Sequence, residues 1–244
     1  MKLKNKIALI TGASRGLGRA LALAFAREGA NLVLCARAQK TLQSVAQEVK
    51  KLGREVLAVQ ADVGQKQDVE RLAATALVTF DHIDILVNNA STLGPSPMPY
   101  LIDYPTDAFE EVLRINTLGP FMVTKALLPS MIQQSAGSIV NVSSEAGANG
   151  YPTWGAYGIS KSAIDLMTET WAAELEKTGV RVNSVDPGDM DTQMHALAYP
   201  NKDPSQFAKP ESLTEIFLYL ASDESQDITG KRFLAQEFSV SSQR

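Results

Sequence analysis

Short apolar runs at residues 7–10, 32–35, 56–59, 83–87, 139–142 and 180–185 alternate with segments of helical periodicity. That alternation constrains the chain more than any other feature. Runs without a polar face read as strands buried on both sides. A weaker seventh run is Phe233-Leu234-Ala235. Helices are expected at 16–28, 41–52, 67–80, 106–134, 157–176 and 211–220. In the first of these, Leu17, Ala20, Leu21, Ala24 and Phe25 fall at helical spacing. Gly29 and Gly53 suit helix C-terminal ends, and Pro210 suits a first turn. Strand–helix–strand units at this spacing predict an α/β fold, a parallel sheet covered on both faces. Right-handed crossovers leave few topologies. No linker, charge block or repeat divides the sequence, so residues 1–244 are expected to form a single domain.

A chain of 244 residues buries a sizeable core without staples. Its 45% hydrophobic and 20% charged content excludes disordered and coiled-coil classes. A net charge of −4 argues against nucleic-acid or anionic-membrane partners. One cysteine, Cys35, excludes a disulfide framework and a cysteine zinc site. With only His82 and His195, no metal centre is expected. No apolar run approaches the roughly 18–20 residues that span a bilayer. Met1 to Lys6 and the apolar run after them faintly mimic a signal peptide, but Thr11-Gly12 ends the run without a cleavage pattern. With the free thiol, this predicts a reducing, cytoplasmic setting.

The first strand leads into Thr11-Gly12-Ala13-Ser14-Arg15-Gly16-Leu17-Gly18 and then a helix. Glycine lets backbone approach a ligand closely, and a helix N-terminus attracts phosphate. A pyrophosphate fits such a turn, although a merely tight strand–helix turn carries the same spacing. No Gly-Lys-Ser/Thr ending follows, so a nucleoside-triphosphate loop is not matched. The second strand ends Cys35-Ala36-Arg37, with no acid where a free ribose 2′-OH is usually met. Arg37, helped by Arg15, suits a 2′-phosphate, which points to NADP(H) over NAD(H). The alternative is that both are ordinary surface charges.

Tyr157 and Lys161 stand at i and i+4, so on a helix they share a face. A neighbouring cation is expected to lower the tyrosine pKa and fit it for proton exchange with a carbonyl or alcohol oxygen. Ser143-Ser144, at the end of the fifth strand, offers a hydroxyl to the same oxygen. An isolated Tyr–Lys pair would be only a solvated helix face. Gly94 to Pro99 and residues 189–209 lack a regular period, follow strands, and are expected to wall a substrate site.

With these elements in order, the sequence resembles the short-chain dehydrogenase/reductase family over nearly its full length. Gly12, Ser14, Arg15, Gly16, Leu17 and Gly18 match its cofactor turn, and Asp62-Val63 its adenine-contacting pair. Asn88-Asn89-Ala90 matches its Asn-Asn-Ala element, and Asn116 its long-helix asparagine. Ser144, Tyr157 and Lys161 match its catalytic residues, with the serine 13 residues before the tyrosine. Asn183 to Gly188 resembles its Asn–x–Val–x–Pro–Gly element, and Thr192 stands where a nicotinamide-amide contact is expected.

The resemblance implies a single Rossmann-type, doubly wound parallel sheet of seven strands in the order 3-2-1-4-5-6-7, with helices on both faces. NADP(H) would cross the switch point, held by Gly12 to Gly18, Arg37, Asp62, Val63, Asn89, Ala90, Tyr157, Lys161, Pro187, Gly188 and Thr192. Tyr157 would act as general acid in reduction and general base in oxidation. Lys161 would lower its pKa and hold ribose hydroxyls. Ser144 would polarise the substrate oxygen, and Asn116 would hold a water linking Lys161 to solvent. The expected substrate is a small-molecule carbonyl or alcohol of open identity, and the expected assembly a homodimer or homotetramer. A cofactor-binding protein without catalysis is the alternative class. Epimerisation or dehalogenation on the same scaffold is a third.

Two departures stand out. Ser91 replaces the glycine after Asn-Asn-Ala, and the Asp-Gly-Gly after the last strand is absent, where the chain reads Ala235-Gln236-Glu237. Cys35 is expected to be a buried inert thiol. His82 reads as a turn residue, while His195 reads as either packing or a contact to a polar substrate. Trp154, Met190, Met194, Tyr151 and Tyr199 are candidates for an apolar pocket or for packing.

Overall fold

In the computed structural model, residues 1–239 are described, so residues 240–244 of the expected single domain lie outside them. The strands are β1 Ile7–Thr11, β2 Asn31–Ala36, β3 Val56–Gln60, β4 Ile85–Asn88, β5 Gly137–Val142, β6 Val180–Asp186 and β7 Arg232–Leu234. They form one sheet in the order β3-β2-β1-β4-β5-β6-β7, every pair parallel. The order turns back between β1 and β4, which opens a crevice at the carboxyl ends of the strands.

Helices α1 Gly16–Arg27, α2 Gln39–Lys51 and α3 Lys66–Phe80 follow the first three strands. Next come α4 Thr106–Leu113, α5 Gly119–Gln134, the short α6 Glu145–Ala148, α7 Gly155–Glu174, α8 Gln193–Ala198 and α9 Glu215–Ala221. Alternate strand residues face opposite sides, so the sheet separates two cores. Ala8, Ile10, Leu32 and Leu34 pack with Phe25 of α1, Val49 of α2 and Phe217 of α9. Ile7, Leu9, Val33 and Cys35 pack with Leu72 of α3 and Leu127 of α5 on the other side. Phe25 and Phe217 are fully buried, each contributing about 1.5–3 kcal/mol by leaving water.

Three expectations are revised. The helix expected at 106–134 is interrupted by a π turn at Arg114–Leu118. Pro120 has no N–H to give the carbonyl of residue 116, and its ring crowds that carbonyl, so the helix widens there. Residues 189–209 are less irregular than expected. Thr192 caps α8 by accepting the His195 N–H at 3.2 Å, and Met190 bridges to Ala208. The final helix is split, with a 3-10 turn at Pro210–Leu213 before α9. Among the described residues, no helix is long and apolar enough to cross a membrane, and no acidic, histidine or cysteine cluster could hold a metal ion.

Candidate active site

The glycine turn is braced from β4. Thr11 Oγ1 accepts the Asn89 and Ala90 N–H groups at 3.0 and 3.1 Å, and Asn89 Nδ2 donates to the Thr11 and Gly12 carbonyls at 2.9 and 3.2 Å. A Cβ on Gly18 would stand 2.3 Å from the Gly12 carbonyl oxygen, so only glycine allows β1 and α1 to approach this closely. Arg15 precedes α1 without a side-chain cap, which leaves the first helical N–H groups facing the cleft. This cradle and the donors around it fit a dinucleotide pyrophosphate.

The cleft occupies about 660 Å³. Gly12, Ser14, Arg15, Gly16, Leu17 and Gly18 form its floor at one end, with Arg37, Asp62 and Val63 beside them. Asn89 and Ala90 after β4, Ser144 after β5, Pro187, Gly188 and Thr192 after β6, and Tyr157 and Lys161 of α7 line the rest of it. The sequence-predicted residues thus converge, with one exception. Asn116 does not line the cleft. It lies buried behind, its amide bound to both backbone groups of Thr92 at 2.8 Å and to Ser160 Oγ at 3.0 Å.

Arg15 hydrogen-bonds Gln193 on α8, tying the glycine turn to residues 189–209. Arg37 is exposed and lines the cleft without an acidic partner among the described residues. Asp62 Oδ1 accepts the Gly64 N–H at 2.9 Å, fixing the turn after β3. Burial pushes the Cys35 thiol up to about 12, as expected of an inert side chain.

The expected lowering of the Tyr157 pKa is corrected. Burial pushes the phenol up to about 12, against the Ser144 hydroxyl, with Asp186 adding to the rise and Ser91 opposing it. Burial also pushes Lys161 down to about 8, against the pull of Asp165 and Asp186. Lys161 Nζ donates to the Val142 carbonyl at 2.7 Å and stands 5.5 Å from the centre of the Tyr157 ring. At Tyr157 desolvation outweighs the two hydroxyls that favour the phenolate. Ser91 lines the cleft near this phenol, its Oγ buried and without a well-aligned partner.

A chain of ring contacts leaves the phenol. Trp154 lies 5.5 Å from Tyr157 and 5.7 Å from Tyr199. His195 packs against Tyr199 and Phe207 at 5.0 and 4.1 Å, and its Nε2 lies 3.1 Å from Asp189 Oδ1 without hydrogen-bond alignment. Leu93, Met190, Met194 and Ala198 complete this wall.

Three groups escaped the sequence reading. Thr11 carries no motif signal beyond the glycine turn it precedes. The amide ladder of Asn88, Asn141, Thr124 and Thr168, which ties β4 and β5 to α5 and α7, joins distant positions. So does the charge cluster of Asp165, Asp186 and Arg232 behind Ser144. Polar residues at the ends of otherwise apolar strands were the available signal.

Residues 6–203 match the family model described as short chain dehydrogenase. The chain is 36% identical to a 3-oxoacyl-acyl-carrier-protein reductase of Thermotoga maritima, over 95% of this chain and 96% of that protein. A short chain dehydrogenase of Shigella flexneri, solved in complex with NADP, superposes with a TM-score of 0.91 at 34% identity, covering 96% of this chain and 99% of that one. A xylitol dehydrogenase with NAD+ bound superposes with a TM-score of 0.88 at 32% identity, covering 96% and 98%. Motif order, sheet order and cleft agree with these likenesses, and the chain belongs to the short-chain dehydrogenase/reductase family of oxidoreductases.

Proposed function

We propose that the protein interconverts a small ketone or aldehyde and its alcohol with NADP(H), with Tyr157 exchanging the proton. One observation carries this reading. Ser144, Tyr157 and Lys161 stand at one end of a cleft whose other end holds a free helix N-terminus, Arg15 and Arg37.

Arg15 and Arg37 would hold the 2′-phosphate, and the turn from Gly12 to Gly18 the pyrophosphate. Asp62 and Val63 would flank the adenine. Asn89, Ala90, Pro187, Gly188 and Thr192 would border the nicotinamide, and Lys161 would reach the ribose hydroxyls. NADP(H), when bound, supplies or accepts the hydride. The complex of the Shigella flexneri relative with NADP supports this choice, as does the absence of an acid at the end of β2.

Ser144 orients and polarises the carbonyl oxygen. With its pKa near 12, Tyr157 is protonated at neutral pH and donates to that oxygen as negative charge develops there. In oxidation it accepts the proton back. Lys161, with its pKa near 8, is largely charged at neutral pH and stabilises the phenolate left by the transfer. The apolar lining of Leu93, Trp154, Met190, Met194 and Ala198 favours a moderately apolar substrate.

Calorimetric titration of the protein with NADPH and NADH, followed by a screen of carbonyls with the preferred cofactor, tests the reading. Tighter NADPH binding and turnover of a ketone or aldehyde are expected. Binding of neither nucleotide would overturn it.

A further inference from the structure

A charge cluster lies directly behind the reacting groups. Arg232, on the edge strand β7, donates from Nη2 to Asp186 Oδ2 at 2.8 Å and to the Ser144 carbonyl at 3.2 Å. Its Nε reaches Asp165 Oδ2 at 3.2 Å. Asp165, one turn beyond Lys161 on α7, also accepts the Ser143 and Ser184 hydroxyls, both at 2.7 Å. Asp186 Oδ1 accepts the Gly188 N–H at 2.8 Å. One guanidinium therefore joins the ends of β5, β6 and β7 to the helix that carries Tyr157 and Lys161.

An exposed ion pair would contribute little. Here the side chains of Asp186 and Asp165 are 4% and 18% exposed, against 29% for Arg232. Two poorly solvated carboxylates therefore face the site with one cation between them. Their field pulls on Lys161, and Asp186 pulls on Tyr157 as well. The remaining charged group on this cluster is Glu145 of α6, which acts on Asp186. The other near neighbours, Ser91, Ser144, Ser160, Asn116 and the Val142 carbonyl, are neutral.

We propose that Arg232 is a positioning residue for the proton-transfer pair: it neutralises Asp165 and Asp186 behind Lys161 and Tyr157, and it fixes the Ser144 backbone and, through Asp186, the Pro187-Gly188 turn. The inference rests on the proposed carbonyl reaction for its catalytic consequence, but not for its electrostatic one. A merely structural staple would lose stability on either side of the pair alike. A charge-setting device responds with opposite signs. Loss of Arg232 leaves the carboxylates unopposed, whereas loss of Asp186 leaves the cation in excess.

The test follows the titration of Lys161 by NMR of carbon-labelled lysine side chains in the full protein, with the signal assigned by its loss in Lys161→Met. Arg232→Met is expected to raise the Lys161 midpoint, and Asp186→Asn to lower it, each by roughly half a unit to one unit. Arg232→Lys, which keeps the charge, and the Arg232→Met/Asp186→Asn double variant should lie near wild type. Shifts of the same sign in the two single variants, or no shift in either, would overturn the proposal. If Arg232→Met does not fold, Asp186→Asn decides alone: a fall supports the proposal, and no change or a rise overturns it. The pH profile of alcohol oxidation is then measured on the same variants. Movement in step with the midpoints supports both readings. Shifted midpoints with an unmoved profile support the charge-setting role and overturn the assignment of Tyr157 and Lys161 to proton transfer.

Discussion

The two ends of the cleft are built in different ways. At the glycine turn, backbone is held by backbone-directed bonds: Asn89 and Thr11 clamp it, and a Cβ on Gly18 would collide with the Gly12 carbonyl. Around Tyr157, side chain packs on side chain: Trp154 meets Tyr157 edge-on and lies tilted against Tyr199, and His195 lies tilted between Tyr199 and Phe207. A backbone cradle tolerates few substitutions, because its shape depends on missing atoms. A cluster of tilted rings accommodates exchange, because its shape depends on which side chains fill it. On the proposed reading, cofactor recognition rests on the first kind of contact and substrate choice on the second, so each can be perturbed alone.

The largest effect is expected at the proposed proton donor. Tyr157→Phe should lower turnover by about 10²–10⁴-fold, the usual worth of general acid catalysis, while NADPH affinity stays nearly unchanged. Steady-state kinetics beside calorimetry checks this. Near-wild-type turnover would remove the tyrosine from the mechanism, and a parallel collapse of affinity would break the separation of the two ends.

On the cofactor side, Arg37→Ala should weaken NADPH binding by about 10–100-fold, as expected for loss of a charge-assisted hydrogen bond, and leave NADH binding unchanged. Arg15→Ala should act in the same direction, but less, because Arg15 already has Gln193 as a partner. Equal losses for the two nucleotides would mean that the arginines do not read the 2′-phosphate. The xylitol dehydrogenase with NAD+ bound shows that both nucleotides occur on this fold, so the discrimination has to come from side chains such as these.

Lys161 gives a pH-dependent prediction. Its folded value is near 8 and its ordinary value 10.5, so between the two the unfolded chain holds a proton that the folded chain has lost. Stability therefore rises with pH across that window, its contribution being complete above 10.5 and lost as pH falls through 8. Tyr157 has the opposite sign: its contribution is present below 10 and is lost as pH rises through 12. Urea unfolding of wild type and Lys161→Met, at neutral pH and at about pH 9.5, should show the difference moving by about 1–2 kcal/mol in favour of wild type at the higher pH. A constant difference would mean that Lys161 is not held in a desolvated state.

The same contrast governs what could be read before folding. Strands 7–10 and 32–35 were legible because burial on both faces leaves an uninterrupted apolar run. Gly12 and Gly18 were legible because their need for a missing Cβ is written in the residue type. The sheet order, by contrast, followed from family resemblance and not from periodicity. The π turn was hidden, since the apolar pattern of residues 106–134 continues through it and only Pro120 marks the break. Helix α8 was missed because its start depends on a Thr192 cap and not on an apolar stripe. The sign of the Tyr157 shift was misread because the spacing of Tyr157 and Lys161 records their proximity but not the burial that dominates both. Arg232 meets Asp165 across 67 residues and Asp186 across 46, pairings that no local pattern announces.

The smallest effect belongs to the substrate wall, and it is the sharpest test of the contrast. Trp154 meets the Tyr157 ring edge-on and lies tilted against Tyr199, so it links the phenol to the outer rings. Each such aromatic pair contributes about 0.5–1.5 kcal/mol beyond burial. Trp154→Ala should therefore raise KM for an apolar ketone by roughly 3–10-fold, with a smaller fall in kcat as Tyr157 loses one flank. NADPH affinity should not move, because no bond of the glycine turn passes through Trp154. Trp154→Phe should recover most of the loss, since a smaller ring still fills the space between Tyr157 and Tyr199. If Trp154→Ala instead weakened NADPH binding as much as substrate binding, the wall and the cradle would be one mechanical unit, and the division of labour between them would fail.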